Sequence, residues 1–172
     1  MIGYTKVFSH DIFGGLFANY KDVGSKNPDD PDNMLYSILD KLEDYRNSEG
    51  NFQFKLCYPE LTWGKEGKTC NEWIQSSNPY TNSTITGFEE IFLAFDRDGT
   101  NGNWKGLGMN TLGNNGATIV DDSPSHPNWH SAIGAKANWE GDENIPGPRH
   151  PTESGKYSPT SKVELYVFVY FG

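Results

Sequence analysis

The richest set of potential ligands in this chain lies in residues 96–104, which have the sequence DRDGTNGNW. Asp96 and Asp98 supply carboxylates and Asn101 supplies an amide oxygen, and oxygen atoms of this kind are the ligands that calcium takes. The glycines between them let the backbone turn tightly around an ion. Trp104 adds a flat apolar ring on which a sugar can stack. The segment therefore predicts a calcium-assisted sugar site, and the alternative is a polar turn between two strands.

The spacing within this segment excludes an EF-hand. In an EF-hand loop starting at Asp96, the sixth position is an invariant glycine and the twelfth is a bidentate glutamate. Asn101 and Leu107 occupy those positions here. A calcium loop of another type is the hypothesis that remains.

A second polar segment, residues 120–130, has the sequence VDDSPSHPNWH. It offers two adjacent carboxylates, an amide, two imidazoles and an indole, and its prolines reduce the entropy that is lost when a ligand docks. A sugar site needs such donors and acceptors beside an aromatic face. The side chains predicted to contact the sugar are therefore Trp104 from the first segment and Asp121, Asp122, Asn128, Trp129 and His130 from the second.

The two segments together define the predicted metal ligands. They either build one site, or the first segment holds a purely structural ion. Two alternatives stay open for the second segment: a solvated loop around a buried Trp129, or a zinc site of His126 and His130. The zinc alternative is weakened because the HExxH spacing is absent. The predicted ligands of calcium, all of them oxygen donors, are Asp96, Asp98, Asn101, Asp121 and Asp122.

Length and composition predict one loop-rich β domain over residues 1–172. The chain holds 19 glycines and 10 prolines and has 14% aromatic residues, a composition typical of β structure with long loops. Its net charge of -9 disfavours nucleic acid, whose affinity depends on phosphate neutralisation. No apolar run is long enough to span a bilayer, so membrane insertion is not expected.

The cysteines and one sequon favour a secreted, extracellular protein. Cys57 and Cys70 suit a disulfide that closes a hairpin-sized loop, with two free thiols or an intermolecular bridge as alternatives. Asn82 begins the N-glycosylation sequon Asn-Ser-Thr. Residues 70–79, CNEWIQSSNP, are expected to cap turns beside the disulfide, with Trp73 packed over it, rather than to bind ligand.

Hydrophobic periodicity predicts a mainly β fold with antiparallel sheets and one amphipathic helix at about residues 33–46. Leu35, Ile38, Leu39 and Leu42 recur with helical spacing. Elsewhere the period is two, and the continuous apolar run at 91–95 is typical of a central strand that is buried on both faces. The strongest β signal is 163–170, and further strands are predicted at 52–57, 117–120 and 131–135.

Enzyme signatures are missing from the sequence, so no catalysis is expected. It contains no nucleophile elbow, no Walker loop and no dinucleotide-binding fingerprint. Several acidic pairs, such as Asp121-Asp122, leave a small hydrolase with two catalytic carboxylates as a third hypothesis. Such an enzyme needs a specific separation between the two groups.

Five segments carry a resemblance to a known family: KVFSHDxxGGLF, SKNPDDPDxxLYSILDKLEDYR, FxFKLCYPEL, CNEWxQxSNP and SKVELYV. The chain resembles secreted modules of sea anemones, corals and other marine invertebrates, which include calcium-dependent, galactose-specific lectins. A more distant resemblance is to fibrinogen-related domains and intelectins, in which an Asp-x-Asp loop binds calcium. Asp96-Arg97-Asp98 is similar to that loop.

This resemblance implies a single lectin-like domain that binds galactose or galactose-terminated glycans. Two vicinal sugar hydroxyls would complete the coordination of a bound calcium ion, and an aromatic ring would pack against the apolar sugar face. Because single sugar sites bind weakly, a homodimer or a higher oligomer is expected. The alternative is an extracellular matrix or adhesion module with a structural calcium and a protein ligand.

Overall fold

The computed structural model of the protein describes residues 2–96, 104–110, 118–121, 131–136 and 160–170. For Ile2 and Asp121 it describes the backbone alone. Within these residues the chain forms two antiparallel β-sheets, which confirms the mainly β, antiparallel, loop-rich fold predicted from the sequence. The strands are β1 (Ile2–Asp11), β2 (Leu35–Ser37), β3 (Phe52–Cys57), β4 (Cys70–Gln75), β5 (Glu89–Leu93), β6 (Gly108–Met109), β7 (Thr118–Asp121), β8 (Ala132–Ala135) and β9 (Lys162–Tyr170).

The larger sheet has six strands in the order β2-β1-β9-β3-β4-β5. The C-terminal strand β9 lies inside this sheet, where it pairs with β1 on one side and with β3 on the other. Residues 166–170 of β9, YVFVY, are all β-branched or aromatic, which suits that position because a central strand needs side chains that pack on a pleated surface. Alternation is also clear in β3, where Phe52, Phe54 and Leu56 are fully buried.

The smaller sheet has three strands in the order β6-β7-β8. Its buried residues Val120 and Ile133 belong to the same hydrophobic cluster as Phe8, Trp73 and Val167 of the larger sheet. The two sheets therefore share one core. Backbone hydrogen bonds join them as well, since the Phe17 N–H donates to the Ala135 carbonyl and the Met109 N–H donates to the Asn82 carbonyl.

The two cysteines form an intrachain disulfide between adjacent strands. Cys57 ends β3 and Cys70 begins β4, and the two residues face each other in the register of that strand pair. Neither free thiols nor an intermolecular bridge applies in this structure. The bond closes the turn that separates β3 from β4.

The helix predicted at 33–46 is shorter than expected. Residues Leu35–Ser37 form β2 against β1, and only Leu39–Tyr45 is helical, as a 3-10 helix. Ser37 also exchanges two backbone hydrogen bonds with Lys26, and the Ile38 N–H donates to the Val7 carbonyl. These long-range backbone partners override the helical spacing of the side chains, since propensity is a weak prior against tertiary context. The structure places its one α-helix among the described residues at α1 (Tyr20–Gly24).

The apolar run at 91–95 is not the doubly buried central strand that was predicted. It belongs to β5, an edge strand that pairs with β4. Ile91 is 46% exposed, while Leu93, Ala94 and Phe95 are buried, the last two beyond the end of the strand. The run therefore divides between an exposed edge and a buried turn. No helix in the described part of the chain has the length and apolar character needed to cross a bilayer.

Candidate functional site

Strand β4 fixes both ends of the polar segment 96–104. Burial alternates along this strand, so that Asn71, Trp73 and Gln75 face the interior together. Residues 70–75 form a strand rather than the predicted turn caps, whereas Asn78 of the same predicted segment does cap a turn, since its Oδ1 accepts from the Tyr80 N–H at 3.0 Å. The inward amides of β4 reach the backbone on either side of the predicted calcium loop.

Asn71 holds the entry to the segment. Its side-chain oxygen accepts a hydrogen bond from the Phe95 N–H at 2.8 Å, and its amide donates to the Phe95 carbonyl at 3.3 Å. Because Asn71 is buried, both polar groups would be costly to leave unpaired. This pair of bonds positions the residue directly before Asp96 in the way that a neighbouring strand would.

Gln75 holds the exit from the segment. Its side-chain oxygen accepts from Trp73 Nε1 at 2.7 Å and from the Leu107 N–H at 3.1 Å. Its amide nitrogen donates to the carbonyls of Leu107 at 2.9 Å and Ser77 at 2.7 Å. Gly106 fits against this network because its φ is +99° and a Cβ there would lie 2.6 Å from Gln75 Oε1. A side chain at that position is therefore excluded both by conformation and by contact.

A hydrogen bond joins Asp96 and Trp104, the first and last residues of the segment. The Trp104 N–H donates to Asp96 Oδ1 at 3.0 Å. The Trp104 ring packs edge-on against Trp73 with 5.1 Å between the ring centroids. Trp104 is only 2% exposed, so in this structure it is a core side chain and offers no open ring face to a sugar. Stacking on Trp104 would require the indole to leave the core.

The small sheet places the start of the second polar segment next to the chain that follows the first. Asp121, the last residue of β7, pairs with Gly108 at the start of β6 and with Ala132 at the start of β8. Gly108 directly follows Leu107, whose backbone is hydrogen-bonded to the Gln75 side chain. The chain therefore leaves β7 toward residues 122–130 at the same end of the sheet where it arrives from residues 96–104.

The described residues cover only part of the predicted site. Asp96 is described with its side chain, and Asp121 with its backbone. Among the residues that the structure describes, no three His, Cys, Asp or Glu side chains form a group suited to a metal. The predicted donor set consists of carboxylate and amide oxygens, which fits calcium in kind. The predicted residues that lie outside the described ranges are Asp98, Asn101, Asp122, Asn128, Trp129 and His130.

Sequence reasoning missed the residues that hold the loop. Asn71, Trp73 and Gln75 recur with a spacing of two, which is the pattern of one strand face. Amide side chains on the same strand face as a tryptophan indicate buried amides that hydrogen-bond the backbone of neighbouring segments. Gly106 carries no such signal, because its need for a positive φ depends on contacts that sequence does not give.

Comparison with protein-family models, with curated proteins and with solved structures gave no match. The resemblance to invertebrate lectin modules therefore stays a prediction from sequence segments.

Proposed function

We propose that this protein is a calcium-dependent carbohydrate-binding protein with a galactose-type ligand. One observation carries the proposal: the two oxygen-rich segments adjoin the same end of the small sheet. The register pairs Gly108, which follows the first segment, with Asp121, the first carboxylate residue of the second. Segments that are separated in sequence and carry the predicted ligands therefore adjoin neighbouring residues of the small sheet.

A rigid base supports this function physically. The clamps from Asn71 and Gln75 fix the backbone on both sides of residues 96–104. A loop whose ends are already ordered loses less conformational entropy when an ion or a sugar binds. Calcium would supply the positive charge that draws sugar hydroxyls and ligand carboxylates together. The side chains of Asp121, Asp122, Asn128, Trp129 and His130 would select among sugars through hydrogen bonds and ring contact.

The remaining parts of the proposal concern location and assembly. The disulfide between Cys57 and Cys70 suits an oxidising compartment, so we place the protein outside the cell. A homodimer or higher oligomer would raise the weak affinity of one sugar site through avidity. No catalytic step is part of the proposal.

Retention on immobilised galactose tests the proposal. The protein should bind in calcium, elute with EDTA and elute with free galactose. Asp122→Asn should abolish retention, because the variant loses a ligand carboxylate but keeps its shape. Asp29→Asn, a change at an exposed turn residue, is the matched control and should bind as the parent protein does. Equal retention in calcium and in EDTA would overturn the calcium-dependent mechanism.

A second candidate function is an extracellular adhesion module with a structural ion and a protein ligand. The burial of Trp104 and its bond to Asp96 favour it, since both are features of a loop that stabilises the scaffold. Asp98→Asn separates the two candidates. A fall in melting temperature with unchanged galactose retention would assign residues 96–104 to a structural ion. Loss of retention at an unchanged melting temperature would assign them to sugar binding.

A further inference from the structure

A cleft of about 420 Å³ lies between the start of α1 and the small sheet. Its polar lining comes from four separate parts of the chain: Asn19 and Tyr20, then Asn110, then Thr118, then Lys136. Thr118 begins β7, whereas Asp121 ends it, so the cleft is at the opposite end of the strand from the proposed calcium site. Its volume is in the range of small-ligand pockets.

The aromatic wall of this cleft is rigid. Tyr20 is 40% exposed and stacks on Tyr80, with 4.4 Å between the ring centroids and 7° between the ring planes. The Tyr20 hydroxyl donates to the Tyr80 carbonyl at 2.7 Å, and the Tyr80 hydroxyl donates to the Tyr20 carbonyl at 2.8 Å. A ring held in this way loses little entropy when a ligand packs against it.

Thr118 contributes a buried hydroxyl with an unmet hydrogen bond. The residue is 1% exposed, and among the described residues its Oγ1 has no hydrogen-bond partner. Leaving a buried hydroxyl unpaired costs about 1–3 kcal/mol. The two amides beside it are engaged locally, since Asn19 accepts from the Asp22 N–H and Asn110 donates to the Thr118 carbonyl. Because this hydroxyl is closed to solvent, a ligand hydroxyl would satisfy it once the side chain turns toward the cleft, and that rotation breaks no hydrogen bond of Oγ1 to the described residues.

Lys136 gives the cleft its charge. Within the described part of the chain it forms no ion pair, and no carboxylate belongs to the described lining of the cleft. A lysine without a counter-ion among the described residues is notable in a protein with a net charge of -9. It favours a ligand that carries one negative charge.

We propose that this cleft binds a uronic acid residue, a pyranose ring with a carboxylate, without calcium. Tyr20 would pack against the apolar side of the sugar ring and Lys136 would pair with the carboxylate. Thr118 would turn its hydroxyl toward the cleft and bond a ring hydroxyl. The proposal is independent of the galactose site, because it uses other residues and no metal ion. Its ligand class follows from one cation, one orphaned hydroxyl and one fixed aromatic ring in a single cleft.

Titration of the full chain with methyl glucuronide in EDTA, followed by calorimetry, tests this proposal. Methyl glucoside is the neutral match, and it should bind about tenfold more weakly because it lacks the carboxylate. Equal binding of the two sugars, or no binding of glucuronide, would overturn the proposal. Because EDTA removes calcium, failure of the galactose site would leave this result unchanged.

Two variants sharpen the test. Lys136→Met should weaken glucuronide binding about tenfold and leave the binding of methyl glucoside unaffected. Lys41→Met is the control, because Lys41 is an exposed lysine outside the lining of the cleft, and it should change the binding of neither sugar. Thr118→Val should lose binding while the melting temperature rises, because the valine removes an unpaired buried hydroxyl at similar volume. Unchanged glucuronide binding by either variant would contradict the assignment of that residue.

Discussion

The two sheets differ in what holds them and in what they expose. The larger sheet is built on long strand ladders, a disulfide and a series of aromatic contacts, in which Phe52 stacks on Phe54 and Phe54 packs at a 40° tilt against Trp73. The smaller sheet has short strands, and it depends on contacts with its larger neighbour. Its strand β7 begins with a buried hydroxyl, Thr118 Oγ1, that has no hydrogen-bond partner among the described residues. Stability is therefore concentrated in one sheet, and both proposed ligand sites lie at the two ends of the other.

This division gives a physical reason for the buried amides of β4. Short strands bury little apolar surface, so a small sheet and its loops need fixed attachments to stay in place. Gln75 supplies one through the Leu107 backbone, directly before β6. Each destabilising change considered next acts on one sheet or on the Gln75 hydrogen bonds that join the two sheets.

The largest effect is expected from breaking these hydrogen bonds with Gln75→Leu. The change leaves Trp73 Nε1 and the backbone groups of Leu107 unpaired in the core, so the free energy of unfolding should fall by about 3–5 kcal/mol. Urea denaturation measures this fall, and hydrogen exchange should show lost protection at the Leu107 amide. Gln53→Leu, at a half-buried residue whose amide bonds the Tyr4 hydroxyl, is the control with a loss below about 1 kcal/mol. Similar losses in both variants would contradict a special role for Gln75.

Removing the disulfide tests the larger sheet alone. Replacing both Cys57 and Cys70 by alanine should lower the free energy of unfolding by about 3 kcal/mol, because the unfolded chain regains the freedom of the closed loop. Ligand binding by the folded variant should stay the same, since the bond joins β3 to β4 and touches neither end of the small sheet. Thermal unfolding and calorimetry check the two parts. Weaker sugar binding by the fully folded variant would show that ligand binding at the small sheet depends on the disulfide of the larger sheet.

A smaller loss is expected where the small sheet packs on α1. Gly134 has a φ of +73°, and a Cβ there would lie 2.6 Å from Val23 Cγ1. Gly134→Ala should therefore cost more than the backbone conformation alone, by about 1–2 kcal/mol. Gly50→Ala is the matched control, because its φ is +79° and no atom lies within 4 Å of an added Cβ. Equal destabilisation of the two variants in urea would exclude the contact as a cause.

The smallest effect is a pH dependence from His10 of the larger sheet. Burial lowers the pKa of His10 below its usual value, and its Nε2–H donates to the Gly15 carbonyl. The folded protein then binds a proton less readily than the unfolded chain. The contribution of His10 to stability is complete above about pH 6.5 and is lost as the pH falls below it, at up to about 1.4 kcal/mol per pH unit. Urea denaturation from about pH 7.5 downward should show this slope reduced in His10→Gln, and an unchanged slope would rule out His10 as its source.

The strands that could be predicted from the sequence are those whose side-chain pattern by itself indicates which residues are buried. Phe52, Phe54 and Leu56 alternate with polar residues because one face of β3 is buried. β9 is rich in aromatic and β-branched residues because it lies inside the sheet. Residues 35–38 could not be predicted in this way, because their backbone pairs with Lys26 and Val7, which lie far away in sequence. Local spacing carries no information about such partners.

The same limit applies to the sites. The ligand types of residues 96–104 and 120–130 are visible in the sequence, since oxygen donors cluster within each segment. That the chain after the first segment lies beside the start of the second follows from the pairing of Gly108 with Asp121, which no local pattern indicates. The cleft was missed for the same reason, because Tyr20, Thr118 and Lys136 come from separate segments that only the fold brings together.

Calorimetric titration with galactose tests the central claim most directly. One protein sample is titrated in calcium, again after EDTA, and again after excess calcium is restored. The account predicts heat of binding in the first titration, none in the second and full recovery in the third. The same heat of binding in EDTA, or no heat in calcium, would contradict a calcium-dependent galactose site.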